Sequence, residues 1–79
     1  MKKLPALDRA LRHQIAAARA ACGMTQCELC AKLKCRNNYI QNIESGTQSV
    51  GAAELHIIAR ACGSTGDELL GRAIQAADK

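Results

Sequence analysis

The chain of 79 residues is long enough for one hydrophobic core and too short for two, so we expect a single domain over residues 1–79. Its apolar residues are mostly Ala, Leu, Ile and Cys, with one Tyr and neither Phe nor Trp, a composition that favours closely packed helices. No apolar run could span a bilayer, and the lysines near the start precede no apolar signal segment, so we expect a cytoplasmic protein with no membrane partner.

The positive charge is concentrated in the first half of the chain. The formal net charge is +4, but residues 1–36 hold eight Lys and Arg against two acids, whereas residues 37–79 hold three against five. A basic front half suits a polyanionic partner such as nucleic acid. A charged face that only keeps the protein soluble is an equally good explanation of the charge alone.

The first predicted helix follows Pro5, since proline suits a first helical turn, and ends before Gly23. Apolar residues recur in it every three or four positions. Thr25 and Glu28 then form the pattern of a capping box, in which each side chain accepts a hydrogen bond from the other residue's backbone N–H. This pattern predicts a second helix over residues 26–33.

Three further helices are predicted in the second half of the chain. The third covers about residues 37–45 with Ile40 and Ile43 turned inward, and the fourth covers about residues 52–62. A second capping box, Thr65 with Glu68, opens a fifth helix that runs to about Ala77. We therefore expect an all-α fold, a compact five-helix bundle with a helix-turn-helix over about residues 25–46.

Four short motifs occur in a fixed order over residues 11–70. They are Gly23-x-Thr25-Gln26-x-x-Leu29, Tyr39-Ile40-x-x-Ile43-Glu44-x-Gly46, Leu55-x-x-Ile58-Ala59 and Asp67-Glu68-Leu69-Leu70. Each motif is weak by itself, but together they resemble the Cro/phage-repressor type of DNA-binding domain, the xenobiotic-response-element family. The sequence departs from that family at three positions. Lys34 stands where the turn usually has Gly, Arg36 where the third helix usually has a Ser or Thr cap, and Val50 where the following loop often has Pro.

The third helix carries the predicted base-reading surface. A helix fits the major groove of B-DNA, and carboxamide side chains match the N6 and N7 atoms of adenine. Four amides cluster on and before the outward face of this helix, and a solvated polar face is their alternative explanation. The candidates for base readout are Asn37, Asn38, Gln41 and Asn42.

Other polar residues are candidates for contacts with DNA phosphates, which set register and salt-dependent affinity. Thr25 and Gln26 stand at the start of the second helix, where backbone N–H groups point outward, and the resemblance implies the same role for them. For Tyr39, plain packing is a rival explanation. The remaining candidates are Lys34, Arg36, Thr47 and Gln48.

Two further groups of residues are expected to stabilise the fold or the dimer and not to contact DNA. The resemblance implies an ion pair between Arg19 of the first helix and Glu44 at the end of the third. The fifth helix carries more apolar surface than its own docking needs, which predicts a homodimer. Its expected interface residues are Leu69, Leu70, Ile74 and Ala77.

The five cysteines could indicate a metal or redox site, with Cys27 and Cys30 as its centre. We instead expect reduced thiols, because Cys30, Cys35 and Cys62 fall where the related domains have small or aliphatic core residues. The sequence contains no motif for nucleotide binding, acyl transfer or hydrolysis, and the two histidines have no partner pattern. We therefore predict no bound metal, no cofactor and no enzymatic activity.

These patterns together predict a sequence-specific regulator of transcription that binds double-stranded DNA. A phage repressor, a restriction–modification controller and an antitoxin are all compatible with the size of the chain. The first alternative is a protein-interaction module that uses the same fold to bind a partner such as a toxin. A cysteine-based metal or redox sensor is the second.

Overall fold

The computed structural model describes residues 5–78. Its five helices follow one another without any strand in that range, which confirms the predicted all-α fold. None of these helices is long and apolar enough to cross a membrane. The helices are α1 Pro5–Ala21, α2 Gln26–Leu33, α3 Tyr39–Ser45, α4 Ala52–Ala61 and α5 Gly66–Ala77.

The core forms where the inward faces of all five helices meet, and α1 packs most extensively against α5. Its largest side chains are aliphatic and fully buried, as the helical periodicity predicts, and two cysteines fill smaller spaces. No polar or charged residue is buried among the described positions. The core side chains are Ile15, Leu29, Cys30, Ile40, Ile43, Leu55, Ile58, Ala59, Cys62, Leu69 and Ala73.

The two predicted capping boxes differ in the structure. In the first, the Thr25 hydroxyl accepts from the Glu28 backbone N–H at 3.1 Å, and the Glu28 carboxylate accepts from the Thr25 N–H at 2.8 Å. In the second, the Thr65 hydroxyl accepts from the Glu68 N–H at 3.3 Å, but the Glu68 carboxylate instead accepts from the Ser64 hydroxyl at 3.0 Å. The second box is therefore only half formed.

Helix α3 begins later than the sequence predicts. The start predicted at about residue 37 is two residues too early: residues 37 and 38 form a turn, and the first helical residue is Tyr39. The first α-helical hydrogen bond runs from the Asn42 N–H to the Asn38 carbonyl at 2.9 Å. Arg36 has no side-chain oxygen with which to cap a helix, and the Asn38 side chain forms no capping hydrogen bond.

Lys34 ends α2 in the left-handed conformation that glycine usually supplies. Its φ and ψ are 57° and 44°, and it is the one non-glycine residue with positive φ among the described residues. Its N–H donates to the Ala31 carbonyl at 3.2 Å, and the Cys35 N–H donates to the Cys30 carbonyl at 3.1 Å. This Schellman arrangement satisfies the last carbonyls of α2. A side chain in this conformation costs about 1–2 kcal/mol.

We expect Lys34→Gly to raise the free energy of unfolding by about 0.5–1 kcal/mol, because the relief of left-handed strain exceeds the entropy that glycine loses on folding. Lys34→Ala removes the same charge and keeps the Cβ atom, so it should give no such gain. Urea denaturation of the three proteins measures the difference. Equal stability of the Gly and Ala variants would contradict the prediction.

Candidate nucleic-acid interface

The start of α2 and the end of α3 are joined by a polar cluster around Glu44. Arg19 of α1 approaches this carboxylate with two nitrogens: Nε donates to Oε2 at 2.7 Å and Nη2 donates to Oε1 at 3.0 Å. The Gln26 amide also donates to Oε1, at 2.9 Å, and Arg19 Nη1 donates to the Met24 carbonyl at 2.8 Å. The ion pair implied by the resemblance is therefore present and includes Gln26 as a third member.

The arrangement around Arg19 is mostly shielded from water. The two charged side chains retain 18% and 9% of their exposure. The hydrogen bonds that Arg19 donates to Glu44 raise the pKa of Arg19, against the opposing effect of desolvation. A bidentate pair of this kind fixes orientation as well as position, so the start of α2 and the end of α3 are held in one geometry.

The N-terminus of α2 retains two backbone donors. The Glu28 N–H is taken by the Thr25 hydroxyl and the Leu29 N–H by the Thr25 carbonyl. Within residues 5–78, the N–H groups of Gln26 and Cys27 have no hydrogen-bond acceptor. Together with the partial positive charge of the helix end, these donors suit an anion such as phosphate.

Three of the four predicted base-reading residues share the outward face of α3 opposite Ile40 and Ile43, as their helical spacing requires. Asn38 and Gln41 are exposed and Asn42 is half-buried, whereas Asn37 is exposed in the preceding turn. Ser45 falls on the same face and was missed by the sequence analysis. Its spacing from Asn38 and Gln41, at seven and four residues, is the signal that could have found it.

The four amide side chains are uncommitted. Within the part of the chain that the structure describes, the only hydrogen bonds of these residues are made by their backbone atoms. For example, the Asn37 carbonyl accepts from the Cys30 thiol, and the Asn42 carbonyl accepts from the Ser45 hydroxyl at 3.1 Å. Free carboxamides can donate and accept at once, which is the property that base edges require.

Tyr39 is held by a carboxylate that the sequence analysis did not identify. Its hydroxyl donates to Glu54 Oε2, while the other oxygen of Glu54 accepts from the Gly51 N–H at 3.1 Å. Burial and the hydrogen bond raise the pKa of Tyr39, and the same bond lowers the pKa of Glu54. Glu54 thereby caps α4 and links its start to the start of α3. Its position three residues after Gly51 is the signal of a cap, but its bond to Tyr39 depends on tertiary packing.

The remaining predicted phosphate contacts lie on the surface near the two ends of α3. Lys34 and Arg36 are exposed before it. Thr47 and Gln48 are exposed after it, where the Thr47 hydroxyl is 2.9 Å from the Ser45 hydroxyl. The Gln48 N–H donates to the Asn42 carbonyl at 3.1 Å, which fixes the start of this loop against α3.

The predicted dimer surface needs one correction. Leu69 is fully buried in the core of its own chain, so it offers no surface to a second copy. Leu70 and Ile74 are 37% and 44% exposed, and Ala77 is half-buried. Ile57 on α4 is a third exposed aliphatic residue, at 57%, that the sequence analysis did not single out.

The cysteines lie mostly where the core pattern places them. Cys30 and Cys62 are buried and Cys35 is half-buried, while Cys22 and Cys27 are exposed. Burial raises the pKa of the Cys35 and Cys62 thiols, which disfavours the thiolate form that binds metals and reacts with oxidants. Among the described residues no group of three or more Cys, His, Asp or Glu side chains could hold a metal ion.

The helix-turn-helix domain family matches residues 10–70. The chain belongs to this family. The match includes α2, the turn through Lys34, and α3, and it confirms the resemblance to Cro/phage-repressor-type domains. No curated protein matches the chain, and neither does any solved structure. Membership of this family suggests a DNA-binding regulator.

We expect the effect of Tyr39→Phe on stability to depend on pH. The bond to Tyr39 lowers the pKa of Glu54 on folding, so its stabilisation is complete above about pH 4.3 and is lost as the pH falls further. At alkaline pH the stabilisation by this bond is limited by Tyr39: because folding raises the pKa of its hydroxyl, the stabilisation is lost as the pH rises above about 10. Urea denaturation should show a larger deficit for the variant at pH 7 than at pH 3. If the variant lost the same free energy of unfolding at pH 7 and at pH 3, the loss would come from packing and not from the hydrogen bond to Glu54.

Proposed function

We propose that this protein is a transcriptional regulator that binds a specific double-stranded DNA sequence. In this proposal α3 enters the major groove and its amide side chains read base edges. The observation that carries it is that the side-chain amides of four exposed or half-buried residues form no hydrogen bond among the described residues, namely Asn37, Asn38, Gln41 and Asn42. If this face of α3 served only solubility, charged side chains would do as well as amides. The outward face of α3 carries no Lys or Arg.

Phosphate contacts on both sides of α3 would set its position in the groove. The free N–H groups of Gln26 and Cys27 could donate to one phosphate. Neutral donors would come from Thr25, Thr47 and Gln48, and positive charge from Lys34 and Arg36. The Gln26 amide keeps one N–H after donating to Glu44. Tyr39 is already bonded to Glu54, so we assign it mainly to positioning α3.

A homodimer would extend the site that a single domain can read. One helix reads only a few base pairs, which are too few to compete with a genome of non-specific sequence. Leu70 and Ile74 lie one turn apart on α5 and are both partly exposed, with Ala77 beside them. A two-fold axis through this surface would suit a near-palindromic site whose halves are about 34 Å apart.

We expect Asn38→Ala to separate base reading from phosphate binding. On a site selected from a random duplex pool, the variant should lose about 1–3 kcal/mol of binding free energy, with little change on random DNA. Its side chain makes no capping bond, so the fold should be unaffected. Arg36→Ala should weaken both duplexes about equally and lower the salt slope by about one. Fluorescence anisotropy across a salt series measures both effects.

Gln75→Ala is the matched control for Asn38→Ala, because it removes an exposed amide from α5, a helix that packs mainly against α1 and α4. It should bind both duplexes as the wild type does. If Asn38→Ala and Arg36→Ala both stay within about twofold of the wild type while folded, the proposal is wrong. The protein-interaction alternative would then be preferred.

We expect the protein to be a dimer at tens of micromolar and Ile74→Asp to be a monomer, because a carboxylate on that surface could not be paired on burial. Light scattering with size-exclusion chromatography measures the mass. Ile57→Asp changes an exposed isoleucine outside the α5 surface and should remain dimeric. A wild-type monomer both free and on DNA would contradict the dimer.

A further inference from the structure

Among residues 5–78, Arg12 of α1 has neither a carboxylate nor a hydrogen-bond partner. Its guanidinium lies against Gly46, so closely that a Cβ atom added to Gly46 would overlap Arg12 Nη1. Its Nε atom is buried and has no hydrogen-bond partner among the described residues. The two ion pairs found in that range involve Arg19 and Arg72 instead. A partly desolvated donor that is left unbonded is unfavourable, and an added acceptor would relieve that cost.

This arginine lines a groove of about 280 Å³ between the start of α1 and the loop that follows α3. Arg9 lines it too, and Asp8 is the single carboxylate among the described residues that line it, so their charged side chains sum to one positive charge. Gln48 and Ser49 add neutral polar groups from the loop. The groove is thus small, basic and provided with donors from two elements.

The loop over residues 46–51 carries no charged residue of its own. Two of its residues, Thr47 and Gln48, are proposed above to contact DNA phosphates, and Gln48 lies in the groove beside the arginines of α1. A phosphate bound at this loop would therefore find its positive charge on α1 rather than on the loop. Arginine suits this role because its planar fork can give two hydrogen bonds to one phosphate.

We propose that the groove between α1 and the 46–51 loop binds a phosphate of the DNA backbone, with Arg12 as the principal donor and Arg9 as the second. The inference rests on the proposed DNA-binding function and adds a contact from α1 to those made by α2 and α3. The glycine at position 46 is part of the site, because it leaves the space in which the guanidinium lies.

The test compares Arg12→Gln with Arg60→Gln, an exposed arginine on α4 that does not line the groove. Both variants change the net charge equally. Arg12→Gln should weaken binding to selected and random duplexes alike, by about threefold or more, and lower the salt slope by about one, whereas Arg60→Gln should do neither. Arg12→Lys should keep the salt slope while losing part of the affinity. Urea denaturation verifies that each variant is folded.

Two outcomes separate this inference from the proposed function. If the wild type itself binds no duplex, the proposed function fails and this inference fails with it. If the wild type binds and Arg36→Ala weakens it, but Arg12→Gln matches Arg60→Gln, then only the groove assignment is wrong and Arg12 is a packing residue.

A second arm distinguishes DNA phosphate from free phosphate. Thermal unfolding is followed in inorganic phosphate and in chloride at equal ionic strength. If phosphate stabilises the wild type more than Arg12→Gln while the two bind duplex DNA with the same salt slope, the groove takes a free anion and the DNA assignment is overturned. A lower salt slope for Arg12→Gln, with or without stabilisation by free phosphate, supports it.

Discussion

The hydrogen-bonded ion pair between Arg19 and Glu44 is the contact on which the geometry of the interface depends. It joins α1 to the end of α3, and through Gln26 and the Met24 carbonyl it also holds the start of α2. Because both charged side chains are mostly shielded, loss of one would leave the other unpaired, at a cost of about 3–5 kcal/mol. The same pair therefore contributes to folding and sets the angle between the two helices of the helix-turn-helix.

A second polar link holds the other end of α3. Tyr39 donates to Glu54, which also caps α4 through the Gly51 N–H, so one carboxylate joins the starts of two helices. Helix α3 has seven residues and would not persist by itself, since isolated helices this short are unstable in water. Its order comes from these links at both ends and from the burial of Ile40 and Ile43 between them. The outward amides are thus presented on a short helix that the surrounding structure makes rigid.

Two residues of this chain adopt arrangements that are locally unfavourable. Lys34 adopts a left-handed conformation because the turn between α2 and α3 needs it, and the hydrogen bonds of the Schellman arrangement offset part of the strain. The Nε of Arg12, beside Gly46, has no acceptor within the described part of the chain. The free energy of unfolding of a small domain is only a few kcal/mol. Local strain of this kind therefore persists only where the surrounding structure requires the conformation or a ligand offsets the loss. Both residues border the surface proposed to meet DNA.

Much of this protein could be predicted from the sequence, because local rules determine it. Apolar spacing and caps placed α1, α2, α4 and α5 to within a residue or so, and the left-handed role of Lys34 followed from its position in the motif. Tertiary packing decided the rest. Helix α3 begins late because residues 37 and 38 form a turn and no side chain caps an earlier start. Leu69 is buried in the core and Leu70 is partly exposed, although the apolar spacing of α5 did not distinguish the two. Gln26, Tyr39 and Arg12 contact residues that lie 18, 15 and 34 positions away along the chain, and no local pattern specifies which residues meet over such separations.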